Sequence, residues 1–229
     1  MNKLRKVVLA LPIAVMIRAI GCISTLPCQG AESNSPMGRF ATESAVRLHQ
    51  PTSMTYAWPK QKKRRKQSLR RPDVIYYPTP NETVVEMLRL ANIEKGDVLY
   101  DLGSGDGRIP IMAAQLHGIR TVGVEIDPKL IRVAEEAARK AGVSHLVRFR
   151  NEDMFHANIS EASVVTLYLS DRLNLLLRPK LLRELRPGTR VLSHDFLMGD
   201  WQPEQMVKIP WETHLYRTVY LWTILPPSR

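Results

Sequence analysis

The rhythm of apolar and polar positions changes near residue 73. From there on, short apolar runs alternate with stretches of helical period, whereas residues 31–59 keep no period at all. Val98–Leu102, Thr121–Glu125, Leu146–Arg150, Ser163–Leu169 and Arg190–Ser193 read as strands, and Ser163–Leu169 is nearly continuous in apolar and β-branched residues, as buried parallel strands are. Between them lie helices. The first follows Pro78-Thr79-Pro80, with Asn81 or Thr79 as its cap and Val84, Val85, Leu88 and Leu90-Ala91 as its apolar face. The second runs over Ile109–His117 and takes Pro110 in its first turn. Asp127-Pro128 opens a third, with Ile131, Ala134, Ala138 and Ala141 as its stripe and Gly142 past its end. Leu173–Leu185 is a fourth, with Leu173, Leu176, Leu177, Leu181 and Leu185 inward and Pro179 as a break or kink. Met206–Ile209 and Leu215–Leu225 alternate, predicting an antiparallel pair joined through Pro210-Trp211. Strands alternating with helices and then a hairpin predict a single doubly wound, mostly parallel α/β sheet over residues 73–229.

Where the first strand ends, the chain reads Asp101-Leu102-Gly103-Ser104-Gly105-Asp106-Gly107. A strand, a glycine turn and a helix start let backbone N–H groups approach a ligand closely. The dinucleotide pattern Gly-x-Gly-x-x-Gly fails, because its third glycine falls at Arg108. Asp101 and Asp106 also repel a pyrophosphate, and suit a ligand that carries an ammonium or sulfonium. Glu125 ends the second strand, 22 residues after Gly103, where an acid hydrogen-bonds ribose hydroxyls in nucleotide-binding α/β folds. Asp153 follows the third strand and either meets a ligand or caps the next turn; Met154 beside it can pack on a flat ring.

These residues resemble the first motif of class I S-adenosylmethionine-dependent methyltransferases. The Tyr76-Tyr77-Pro78-Thr79-Pro80 stretch is similar to the segment before that motif in archaeal protein lysine methyltransferases. It is equally similar to that of the mitochondrial enzymes acting on lysine of the ATP synthase c-subunit and of the adenine nucleotide translocase. The likeness covers most of residues 74–195. It implies a Rossmann-like sheet of seven strands with the last antiparallel, S-adenosyl-L-methionine as cofactor, and a lysine-bearing protein as acceptor. Carried over position by position, it implies cofactor contacts from Tyr77, Thr79, Asp101, Gly103, Ser104, Gly105, Gly107, Glu125, Asp127, Asp153 and Met154. Tyr168 is the candidate to orient the acceptor amine, with Tyr76 and His194 behind it. Enzymes acting on exocyclic or amide nitrogen carry an Asn-Pro-Pro-Tyr-like run where this chain has Leu167-Tyr168-Leu169-Ser170, which disfavours that chemistry. The other readings are a small-molecule or lipid methyltransferase, and a binding module of the same fold without catalysis.

Charge changes the picture only for the leader. The net charge of +11 divides into +12 over residues 1–72 and −1 over residues 73–229, so no basic groove and no specific nucleic-acid partner are expected of the domain. Cys22 and Cys28 are both in the leader, leaving the domain no thiol nucleophile and no cysteine-based metal site; no metal is expected. Residues 1–30 combine Lys3, Arg5 and Lys6 with an apolar run from Val7 to Ile17, the make-up of a secretory signal or a membrane tether. Residues 31–72 are expected to be a disordered linker, eight of the twelve residues Lys60–Arg71 being basic and able to lie on an anionic membrane. The leader therefore predicts an exported or membrane-tethered protein, and without it a cytoplasmic one. S-adenosylmethionine is made in the cytosol, which suits a tether facing that side.

Overall fold

The computed structural model describes Trp58 and residues 69–226. The expectations for the leader, its two cysteines and most of the linker lie outside the described residues.

The elements are α1 (Asn81–Leu90), β1 (Val98–Leu102), α2 (Arg108–His117), β2 (Arg120–Glu125), α3 (Pro128–Lys140), β3 (Val147–Asn151), β4 (Val164–Leu167), α4 (Asp171–Glu184), β5 (Arg190–His194), β6 (Gln205–Glu212) and β7 (Leu215–Thr223). They build a seven-stranded sheet in the order β3-β2-β1-β4-β5-β7-β6. β1 to β5 are parallel, β7 runs antiparallel to β5, and β6 antiparallel to β7. The order reverses between β1 and β4, so the chain leaves a crevice at their carboxyl ends.

The two-residue period of the strands sorts side chains into two cores. Val98, Tyr100 and Leu102 of β1 join Val165 and Leu167 of β4 against Leu173, Leu177 and Leu181 of α4. Leu99 and Val164 point the other way, to Val84, Met87 and Leu88 of α1 and Ile109 of α2. Asp101 has the parity of Leu99, yet sits at the end of the strand with Thr166 as its register partner. A strand otherwise apolar thus delivers one buried acid to the crevice.

Several boundaries differ from expectation for physical reasons. Neither Thr79 nor Asn81 caps α1: Pro80 stands at the N-cap, with no side-chain cap. Val85 is 45% exposed and Met87 takes its place in the core. Helix α4 is not broken at Pro179, whose missing N–H leaves the Leu175 carbonyl on a side of the helix open to water. Leu176 lies outward as well, and the buried face is the row of Leu173, Leu177 and Leu181 with Asn174 and Lys180 beside it. Pro210 and Trp211 belong to β6 itself, and the hairpin turns at Thr213-His214, with His214 at φ 69°. β6 is an outer edge, where a residue without an N–H is tolerated.

Candidate active site

A cavity of about 450 Å³ opens at the carboxyl ends of β1, β2 and β4. Of the residues singled out from sequence, Tyr77, Thr79, Asp101, Gly103, Ser104, Gly105, Glu125, Asp127, Asp153, Met154 and Tyr168 all line it. Gly107 does not. A Cβ there would come within 2.4 Å of the Phe149 ring and 2.9 Å of Ala134, so this glycine lets α2 pack closely against the sheet.

The acids differ in what already holds them. Asp101 is buried, and its Oδ1 accepts a 2.7 Å hydrogen bond from the Thr166 hydroxyl. Burial, reinforced by the nearby negative charges of Glu125 and Asp106, pushes its carboxyl up to about 7. It is the acid with most to gain from a cation. Glu125 braces the loop around it: Oε2 accepts from Gly105 N at 2.9 Å, and Oε1 accepts from the N–H groups of Ile126 (2.7 Å) and Asp127 (2.9 Å). Oε2 keeps an open lone pair for a hydroxyl donor. Asp127 caps α3 by accepting from Lys129 N at 2.7 Å. Asp106 is spoken for. Burial raises its carboxyl, but the Arg108 guanidinium, 2.7 Å away, outweighs that and holds it below the ordinary carboxylate range. The expectation that both loop acids face a cationic ligand therefore reduces to Asp101.

The glycine turn works as a cradle. At Gly103 (φ +85°) a Cβ would stand 2.8 Å from Leu169 Cδ2, and at Gly105 one would stand 2.5 Å from the Tyr76 ring. Tyr76 thus lies on the turn itself, as part of a segment from Arg70 to Thr79 that forms one wall of the cavity. Arg108 fastens this segment by donating to the Thr79 carbonyl at 2.9 Å.

Toward β5 the cavity is lined by the Tyr77 and Tyr168 rings, with His194 and Phe196 packed on Tyr168 and not among the lining residues. Tyr168 stacks on His194, ring centroids 3.9 Å apart, with Phe196 at 6.0 Å and Tyr77 edge-on at 6.5 Å. His194 is fully buried, and its Nδ1 lies 3.3 Å from the Thr79 hydroxyl. Burial, helped by the Arg217 cation and opposed by Asp195, lowers His194 to about 4, while burial raises the Tyr168 phenol. Both are neutral at pH 7.

The family model described as the ANTKMT methyltransferase domain matches residues 101–205. A protein-lysine N-methyltransferase of Saccharolobus islandicus is 43% identical over 154 residues, which are 67% of this chain and 95% of that protein. This chain belongs to the same family of S-adenosylmethionine-dependent methyltransferases. The human lysine N-methyltransferase named for the ATP synthase c-subunit is 30% identical over 61% of this chain, which spans 59% of that longer protein. A crystal structure titled RNA methyltransferase from Salinibacter ruber, in complex with S-adenosyl-L-homocysteine, is 53% identical with a TM-score of 0.62. It matches 67% of this chain and 97% of the other.

The residues of this methyltransferase fit that class of ligand on their own geometry. A glycine cradle, a buried acid short of a cation and a backbone-braced glutamate ring one cavity. The Ser104 hydroxyl, buried without a hydrogen-bond partner, sits in the same turn. Two contacts were not foreseen from sequence: Arg70 meets Asp153, and Arg108 pairs with Asp106. Nothing in a linear pattern signals Arg70, whose long side chain reaches Asp153 across 83 residues of sequence, whereas Arg108 pairs locally, two residues from Asp106 in the same turn. Among the described residues no group of three His, Cys, Asp or Glu side chains can hold a metal ion.

Proposed function

We propose that this protein transfers the methyl group of S-adenosylmethionine to a lysine side-chain amine of a protein. The observation that carries the reading is one cavity with an acidic, glycine-cradled half and an uncharged aromatic half. When bound, the sulfonium supplies an electrophilic methyl whose bond electrons return to sulfur as the new N–C bond forms. Asp101 holds the ammonium end, Glu125 the ribose and Asp153 the purine amine, while Met154 packs on the purine face. Tyr77 and Thr79 close the site from above. Alignment of amine and methyl is the main task of the protein in such a displacement.

An acceptor lysine, with a free pKa near 10.4, must first give its proton to solvent water. The Tyr77–Tyr168 corner favours the neutral amine by desolvation, since the Arg217 cation nearby is paired with Asp195 at 3.0 Å. The Tyr168 hydroxyl oxygen then accepts a hydrogen bond from the amine N–H, leaving the nitrogen lone pair free to face the methyl. The lysine-specific names of the Saccharolobus and human relatives support this acceptor class. RNA is the second reading, favoured by the name of the Salinibacter relative and opposed by the near-neutral charge of residues 73–229. Incubating a lysate with the enzyme and tritiated cofactor tests both. Label in protein, on lysine after hydrolysis, supports the proposal. Label in RNA, lipid or small molecules, or no label despite bound cofactor, overturns it.

The leader is proposed to export the domain or to tether it at a membrane, on the composition of residues 1–30 and the basic run at 60–71. Among the described residues no helix is long and apolar enough to cross a membrane. Fractionation with N-terminal sequencing of the mature chain tests this: recovery of an uncleaved chain wholly in the soluble cytoplasmic fraction overturns it.

A further inference from the structure

Asp153 and Arg70 stand far apart in sequence, yet the two are joined side on at one wall of the cavity. Arg70 Nε donates to Asp153 Oδ2 at 2.6 Å and Nη2 to Oδ1 at 3.2 Å. A third donor, the Phe155 N–H, reaches Oδ1 at 3.0 Å. The exposed His156 ring stands further off, its Nδ1 3.5 Å from Oδ2. The guanidinium also pairs with Asp73 and lies over the Phe155 ring, 5.1 Å from its centroid. Planarity and the two-pronged contact fix the carboxylate plane as well as its charge, which a point cation would not do.

We infer that Arg70 is a positioning residue that makes Asp153 a reader of the 6-amino group of the cofactor's purine. This rests on the proposed cofactor reading and adds a residue to it. The Asp153 side chain is only 9% exposed. Burial raises its carboxyl, and the hydrogen bond from Arg70 is the largest effect pulling it back below the ordinary range. Counting these three hydrogen bonds against the roughly four that a carboxylate can accept, one site on Oδ2 remains for an amine N–H. Without Arg70, the buried carboxyl keeps one backbone donor and is free to rotate or to take up a proton. A protonated carboxyl donates as readily as it accepts, and loses its preference for an amine over a carbonyl.

The test compares S-adenosylhomocysteine with its 6-oxo analogue S-inosylhomocysteine, which exchanges the 6-amino donor for a carbonyl acceptor and carries a proton on the neighbouring N1. Both carry the same amino-acid end, so any change at Asp101 cancels in the ratio of their affinities. Calorimetry on the full-length protein is expected to show about a tenfold or greater preference for the amino ligand, the scale of a hydrogen bond to a charged group. In Arg70→Ala the preference falls below about threefold; Arg70→Lys, keeping the charge without the fork, falls between. An Arg70→Ala protein that keeps the full preference overturns the inference, even if both ligands bind more weakly, since Arg70 would then only hold the wall in place. A wild-type protein that binds both ligands equally overturns it while leaving the cofactor reading standing. A wild-type protein that binds neither overturns both.

Discussion

The two halves of the cavity solve opposite problems. On the β1–β2 side, acids are buried and then braced: Glu125 by three backbone N–H groups, Asp106 by Arg108, and Asp101 by no more than a threonine hydroxyl. On the β4–β5 side the chain presents rings, stacked and neutral, with the one histidine kept from protonating. The first half awaits a cation. The second discourages one. A methyl donor that is positive and an acceptor that must become neutral need this asymmetry, and neither half alone would select for both.

The largest effect should come from removing the least braced acid. Asp101→Asn keeps the hydrogen bond from Thr166 and deletes the charge, and calorimetry should show affinity for S-adenosylhomocysteine falling by about 100-fold. Stability should move the other way. A carboxyl raised in the folded state to about 7 weakens the fold above its unfolded pKa near 4, so the variant should melt higher than wild type at pH 8. The gap should close as pH falls towards 4. Next, Gly103→Ala forces a methyl group against Leu169 at a φ of +85°. It should cost about 1–2 kcal/mol in denaturant unfolding and lower ligand affinity about tenfold.

On the aromatic side the split should reverse. Tyr168→Phe keeps the stack on His194 and loses the hydroxyl, so kcat should fall about tenfold while the affinity for S-adenosylhomocysteine stays within about twofold. Equal losses in both quantities would erase the division between the halves. The smallest effect sharpens it: wild-type affinity for S-adenosylhomocysteine should improve several-fold, roughly, from pH 6 to pH 8 as Asp101 ionises. That slope should vanish in Asp101→Asn.

The acids of the first half were legible in the sequence because strand ends are. An aliphatic run stopping at Asp101 or Glu125 says where the carboxylate sits before any coordinate does, and the parallel order follows from the alternation of strand and helix. Arg70 was not legible. It reaches Asp153 across 83 residues of sequence, and its flexible side chain leaves no periodic mark. The stripe errors at Val85 and Leu176 share another cause, since a helical period defines the centre of a buried face better than its margins. The hairpin turn was misplaced because Pro210 reads as a breaker, whereas the true turn uses His214 in a backbone region that glycine usually signals. Tyr168 was legible only through resemblance; its stacking on His194 depends on β4 and β5 lying side by side.

Strand β6, the outer rim of the sheet, has a consequence for life at high concentration. An unpaired rim is a template on which another chain's strand can add itself, rung by rung. Here the rim carries a proline with no N–H to offer, an irregularity between Pro210 and Glu212, and Lys208 in its midst. Each interrupts the ladder that a visiting strand would need. The molecule can thus keep a sheet open on that side without seeding fibres, and Pro210→Val with Lys208→Val should show the loss of that protection as time-dependent light scattering.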